Sequence, residues 1–396
     1  MSGAETAGGQ LYAQLAQLLA PADSLVGSSS MVILEPAGKD VGPMASLTGP
    51  EAREAMADLA NAIPAVAPSF LDTGSFYDDI WNFVLTSALP TGPVDDPVRA
   101  TVARVIADNR ADFELMGLAR LDLPADLYHP VLAAPAAWLG PDGWSSASFR
   151  VGGEDADPVP RAAPDLFIPE EIPELTWREI DPLEPEGSGP DPFKQPDLLK
   201  QPETLTRRDV FKQPELVIPV QRRSALNDSR LLKQLLEGIR TREPVMPSEG
   251  LVWRDVFTVS RAVETTGKQS RTTSRFRLSF DYRVVGLRRP WLEPQLCHLG
   301  GWIIPGLPAH GLSTGLLTDN KGLMPVLTTR MLVVRDLVVE AEWSDADREK
   351  ARSGATVAFG PFKVAGEAAF DGTRLTRADP QVVAWLATVV PACPAP

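Results

Sequence analysis

"TTSRFRLSFDYRVVGL", residues 272–287, is the most regular stretch of this chain. Phe276, Leu278, Phe280, Tyr282 and Val284 alternate with Arg275, Arg277, Ser279, Asp281 and Arg283. Successive side chains of a strand point to opposite faces. An unbroken period of two therefore predicts a strand with one buried face and one wet one. The preceding "LVWRDVFTVSRAVETTG", residues 251–267, is expected to pair with it through a turn near residues 266–271. "LTTRMLVVRDLVVEAEW", residues 327–343, is rich in β-branched residues and predicts a third long strand, buried more completely. "ATVAFGPFKVAGEAAF", residues 355–370, offers one or two more. Around these strands three helices are expected. One lies in residues 224–239 with its leucine stripe, and one in residues 344–353, where Ser344 and Asp347 form a capping box. The last is "DPQVVAWLATVV", residues 379–390, where Asp379 caps and Pro380 opens. Residues 221–396 thus read as an antiparallel α+β domain.

The first 120 residues read as helices. Leu11, Leu15, Leu18 and Leu19 recur at helical spacing and stop at Pro21. Residues 49–63 place a proline in the first turn, followed by strong helix formers. Residues 75–90 start at Ser75 as cap and put Phe76, Ile80, Phe83 and Val84 on one face. Residues 96–118 take Asp96 as cap and Pro97 as first residue, with a stripe through Val98, Val102, Val105, Ile106, Phe113 and Met116. Four such helices predict a small N-terminal bundle, residues 1–120.

Between the two lies a proline-rich extended segment, residues 121–220. The chain holds 38 prolines in 396 residues, about twice the ordinary usage, and they gather here. Trp144, Phe149, Phe167, Ile168 and Trp177 would let part of this segment dock as a strap. Residues 188–217 fall into five hexads, "SGPDPF KQPDLL KQPETL TRRDVF KQPELV". Their fourth position is always acidic (Asp191, Asp197, Glu203, Asp209, Glu215) and their sixth always apolar (Phe193, Leu199, Leu205, Phe211, Val217). A helix has no period of six and rejects frequent proline. A strand would put acids and apolar residues on the same face, and a hexapeptide β-helix would lose a ladder donor at each proline. Polyproline II, three residues per turn, fits best and lays an apolar stripe beside an acidic one. Such a strip is either a duplicated spacer or a docking element.

A net charge of −14 argues against general nucleic-acid binding. Yet residues 251–290 hold nine basic residues against three acids. Arg275, Arg277 and Arg283 share the wet face of the expected strand, and Arg288 and Arg289 follow. This basic face is the candidate partner-binding surface. The hexad residues Phe193, Leu199, Leu205 and Phe211 are its expected counterpart, with Asp197, Glu203 and Glu215 set toward the arginines. The alternatives are a solvated sheet face and an anionic partner from outside.

Catalytic signatures fail on context. "GLSTG", residues 311–315, matches a nucleophile elbow, but prolines interrupt the strand it needs and no histidine follows Ser313. His310 could serve that serine only in an unrelated arrangement. Cys297, His298 and His310 lack a fourth soft ligand, and adjacent Cys-His cannot easily share a metal. No cofactor-binding fingerprint is present. Cys297 and Cys393, the two cysteines, read as free thiols or as one bridge tying the C-terminus to the body. The N-terminus lacks a basic region and a continuous apolar run, so no signal peptide is expected, and no stretch spans a membrane. A soluble cytoplasmic chain is expected, with export without a signal as the alternative. The functional expectation is a non-enzymatic scaffold or interaction protein with a protein partner, no cofactor and no metal. The alternative is a toxin-like effector acting on membranes or delivered by a secretion machine.

Overall fold

The computed structural model describes residues 7–21, 29–122, 128–152, 156–158, 166–167, 177–179, 275–345, 348–349, 357–364 and 370–395. All of them belong to one unit that draws on both ends of the chain. The expected strand at residues 251–267, the helix at 224–239 and the hexads at 188–217 lie outside the described residues.

In chain order the strands are β1 (Ser30–Asp40), β2 (Ala62–Pro64), β3 (Asp72–Phe76), β4 (Leu89–Pro90), β5 (Leu132–Ala134), β6 (Ser145–Val151), β7 (Leu166–Phe167), β8 (Trp177–Glu179), β9 (Phe276–Arg288), β10 (Trp302–Ile303), β11 (Val326–Ala341), β12 (Val357–Phe359), β13 (Phe362–Val364), β14 (Arg374–Arg377) and β15 (Gln381–Val389). The helices are α1 (Ala7–Leu19), α2 (Gly49–Ala60), α3 (Tyr77–Ser87), α4 (Pro97–Asp122) and the short α5 (Gln295–His298).

Strand β9 lies inside an eight-stranded sheet. β11 pairs along one of its edges, and β6 and then β5 pair along the other. β11 in turn pairs β14 with its last residues and β15 with its first. β15 pairs β1, and β1 pairs β7 in the sheet's single parallel contact between described strands. A small antiparallel sheet, β13-β12-β8, lies beside it.

The expectation for residues 379–390 is overturned: they form the strand β15, not a helix. Its first seven positions, Gln381 to Ala387, are buried without interruption. A strand buried on both faces shows no alternation, so its Val382, Trp385, Leu386 and Val389 also satisfy a helical period. The β-branched Val382, Val383 and Val389 and a place between β11 and β1 decide for the strand.

The helices expected in residues 1–120 exist, but not as a bundle. Helix α1 puts Leu11, Tyr12, Leu15 and Leu19 on one face of the sheet, against Val32, Leu278, Leu332 and Leu386. Helix α2 puts Met56, Ala57 and Leu59 on the other face, against Ile33, Met331 and Trp385. Only α3 and α4 pack directly on each other. The stripes of α1 and α2 found the sheet rather than another helix. The reason is β1, a strand hidden among the helices, which carries the N-terminal region onto β15. Helix α3 begins after Phe76, not at Ser75, whose side chain does not cap it. Asp96 does accept from the Val98 backbone N–H at 2.8 Å.

The segment of residues 121–220 also yields strands. Phe149 is buried on β6, and Phe167 and Trp177 lie in β7 and β8. These pieces extend the sheets, as a docked strap would. Ile168 lies outside the described residues.

The two faces of the sheet are not covered equally. One core includes Phe276, Leu278 and Phe280 of β9, and the other Val285 and Leu287. The alternation of β9 therefore keeps its register while the buried face changes along its length. β11 matches this with a bulge between Arg335 and Val338, where Asp336 adopts φ 50°. One extra residue there keeps Val334, Leu337 and Val339 on the same buried side.

Candidate functional site

The uncovered part of the sheet is a polar face built from β6, β9, β11 and β14. Strand register fixes its rows. Arg150 pairs with Arg277, Arg277 with Glu340, and Glu340 with Arg374. In the next row Ser148 faces Ser279, then Val338 and Thr376. In the third, Ser146 faces Asp281 and then Arg335. The rows are tied by side chains. Ser146 donates to Asp281 Oδ1 at 2.6 Å, and the Ser148 and Ser279 hydroxyls share a hydrogen bond of 3.0 Å. Arg374 Nε lies 2.7 Å from Glu340 Oε1, and Arg277 Nη1 3.8 Å from Oε2. The Arg277 and Arg374 side chains are more than half exposed, so one carboxylate serves two solvent-facing guanidinium groups. Exposed pairs of this kind add little to stability.

Of the arginines singled out in the sequence, Arg275 and Arg277 lie on or beside this face and are exposed. Arg288 is also exposed, at the far end of β9 opposite Leu132. Arg283 and Arg289 do not join them; both are 5% exposed. Arg283 clamps a loop: its Nη1 donates to the carbonyls of Ala137 and Trp138, each at 2.7 Å. Its guanidinium lies 4.7 Å from the Trp144 ring centre, with Arg335 on the same indole at 4.3 Å. Burial, and then the charge of Arg335, lowers the pKa of Arg283.

Arg289 is a knot rather than a binding residue. Nε donates to Asn61 Oδ1 at 3.0 Å, and Nη1 to the Thr328 carbonyl at 2.8 Å. Nη2 donates to the Ala60 carbonyl and to Thr328 Oγ1. The guanidinium stacks 4.3 Å above the Tyr77 ring. The Tyr77 hydroxyl donates to Val326 O at 2.9 Å and accepts from Thr328 N–H at 3.0 Å. This set joins the end of α2, the start of α3 and the start of β11. Burial pulls the Arg289 pKa down to about 10, against the opposing charge of Asp78. The hexad residues Phe193, Leu199, Leu205 and Phe211 lie outside the described residues.

Ser313 is fully buried and its hydroxyl is committed. It donates to the Val390 carbonyl and accepts from Asn320 Nδ2 at 3.0 Å and Gly315 N–H at 3.1 Å. That is the geometry of a loop anchor. Gly322 closes the same loop, since a Cβ there would sit 2.2 Å from the Leu312 carbonyl oxygen. Among the described residues no three His, Cys, Asp or Glu side chains gather as metal ligands. Among them, too, no helix is long and apolar enough to cross a membrane.

Sequence reasoning missed Ser146, Ser148, Arg150, Glu340 and Arg374. The signal for the first three was present: in "SSASFRV" they alternate with Ala147, Phe149 and Val151. The surrounding prolines masked it. Compared with family models, curated proteins and solved structures, the chain matches none significantly.

Proposed function

We propose that this protein is a non-enzymatic interaction module whose open sheet face binds an extended acidic segment. The observation that supports the reading is the row Arg150-Arg277-Glu340-Arg374, with Arg275 beside it. It sets several guanidinium groups in a row across four strands on a solvent-facing surface, with one shared carboxylate between two of them. A row that crosses four strands suits a linear ligand, and surplus positive charge suits an acidic one. The hexads of residues 188–217 have that chemistry, with an acid and an apolar residue every sixth position. The same face would serve a partner protein carrying a similar strip.

The test uses the chain lacking residues 188–217 and a labelled peptide of that sequence, with binding followed by fluorescence anisotropy. Binding that weakens about tenfold or more on Arg277→Glu plus Arg374→Glu, and falls with added salt, supports the reading. Equal binding by the native and charge-reversed faces refutes the assignment of the face. No binding by either, with partners still captured by the deleted chain, makes the hexads a spacer.

A further inference from the structure

The two cysteines, far apart in sequence, meet in the fold. Cys297 and Cys393 are both free and both buried, the backbone bridge between Gly300 and Ala395 sets their segments side by side, and the two thiols interact. Each is held by its own framework. Cys297 lies in α5, whose approach is fixed by Trp291 Nε1 donating to the Pro130 carbonyl at 2.6 Å. Glu293 N–H, donating to Asn109 Oδ1 at 3.2 Å, fixes it further.

Cys393 lies in a strap that continues β15 to the end of the described chain. Its N–H donates to Ser313 O at 3.0 Å, and its carbonyl accepts from Leu312 and Ser313 N–H at 3.0 and 3.1 Å. Further along, Pro394 O accepts from His310 N–H and Ala395 O from Gly301 N–H. The strap thus passes between the loop at Gly301 and the loop of residues 310–313. Backbone contacts on both sides hold the strap beside α5, within reach of the Cys297 thiol.

We propose that Cys297 and Cys393 are a disulfide-forming pair that locks the C-terminal strap onto α5, with a small-molecule disulfide as oxidant. The reaction balances as thiol–disulfide exchange. One cysteine thiolate attacks a sulfur of the oxidant, breaks its S–S bond and releases one thiol. The second cysteine thiolate attacks the mixed disulfide and releases the other. The two cysteine protons end on the two released thiols; the protein is oxidised by two electrons and the small disulfide reduced by two. Because both thiols are buried, the first attack requires the strap to open, and closure then brings the second sulfur to the mixed disulfide. The Cys297 thiol is raised well above its ordinary pKa, first by the hydrogen bond to Cys393 and then by burial. The closed, reduced form is therefore slow to react, and exchange follows the opening of the strap.

The experiment incubates the full chain with oxidised glutathione, quenches with acid and measures intact mass and peptide map. The expected result is a mass lower by about 2 Da, the two hydrogens lost in exchange. A peptide joining Cys297 to Cys393, and an unfolding midpoint higher by roughly 5–10 °C and restored by a dithiol reductant, are also expected. The Cys393→Ser variant is expected to retain one glutathione on Cys297, since no second thiol resolves the adduct. The proposal is overturned if the oxidised native chain keeps two alkylatable thiols after denaturation. It is equally overturned if that chain carries glutathione on both cysteines, or links only between molecules.

Discussion

Replacing Arg289 by methionine isolates the polar work of the buried knot. Methionine fills similar space and keeps apolar contact with Tyr77, so packing loss is small. What disappears is the guanidinium's donation to Ala60 O, Thr328 O, Thr328 Oγ1 and Asn61 Oδ1. Each buried acceptor left unpaired costs about 1–3 kcal/mol. Relief from burying a guanidinium offsets part of that sum, because its own burial is unfavourable. The net loss is about 3–5 kcal/mol, in line with removing one member of a buried charged network. Against a usual total of about 5–15 kcal/mol this is a large fraction. Guanidinium unfolding followed by tryptophan fluorescence would show the midpoint falling at unchanged slope. A Tyr77→Phe variant and the double variant complete a cycle, with a coupling of about 0.5–3 kcal/mol expected for residues in one network. A loss below about 1 kcal/mol for Arg289→Met, or additive single effects, would refute the claim that this arginine ties three elements together.

Other tests probe different levels of the architecture. Asp336→Gly is expected to leave stability unchanged or raise it slightly, while Asp336→Val lowers it by about 1–2 kcal/mol, because the bulge holds φ 50° where β-branched residues are strained; equal midpoints would count against the bulge. Gly322→Ala is expected to cost more than about 2 kcal/mol, since the new methyl meets the Leu312 carbonyl and not a movable side chain. Alkaline titration of native chain against Tyr12→Phe reads the buried hydroxyl that donates to Val32 O at 2.8 Å. Burial raises the Tyr12 pKa above its ordinary 10.0, so above that pH the folded state holds a proton that the unfolded state has lost. Relative to the variant, the native chain should therefore lose about 1.4 kcal/mol per pH unit beyond pH 10, and a pH-independent difference would sink the argument. Deleting residues 188–217 should move stability by only about 0.3 kcal/mol, the change in closure entropy for the connection between β8 and β9; a larger loss would show that the hexads contribute to the fold itself.

The parts of this fold visible in the sequence are those with one wet face. β9 announces itself because water on one side forces alternation. The same logic makes α1 and α4 readable from their stripes, and Asp96 from its capping position. β15 was illegible because burial on both sides removes the alternation that separates strand from helix. β1 was missed for a similar reason: its first six residues are all buried, and Pro36 and Gly38 lie in its irregular pairing with β15. The candidate face was half visible. Arg277 stood out on β9, but its neighbours come from β6, β11 and β14, and only pairing register sets Arg150, Glu340 and Arg374 in one row. Arg283 and Arg289 misled because an arginine on a strand normally marks solvent. Their burial depends on carbonyls of distant loops and of α2, which no local pattern reveals.

Strand β15 also sets the order in which this protein can be made. It lies between β11 and β1, and its Thr388 pairs with Ser30 near the opposite end of the chain. During synthesis β1 emerges long before β15, the antiparallel partner that its Ser30 meets at Thr388. α1 and α2 wait with it, since the surfaces they cover are only completed by that strand. Until β15 has been made, β1 and β11 each lack the strand that joins them, so this part of the sheet closes only after residues 381–389 are available.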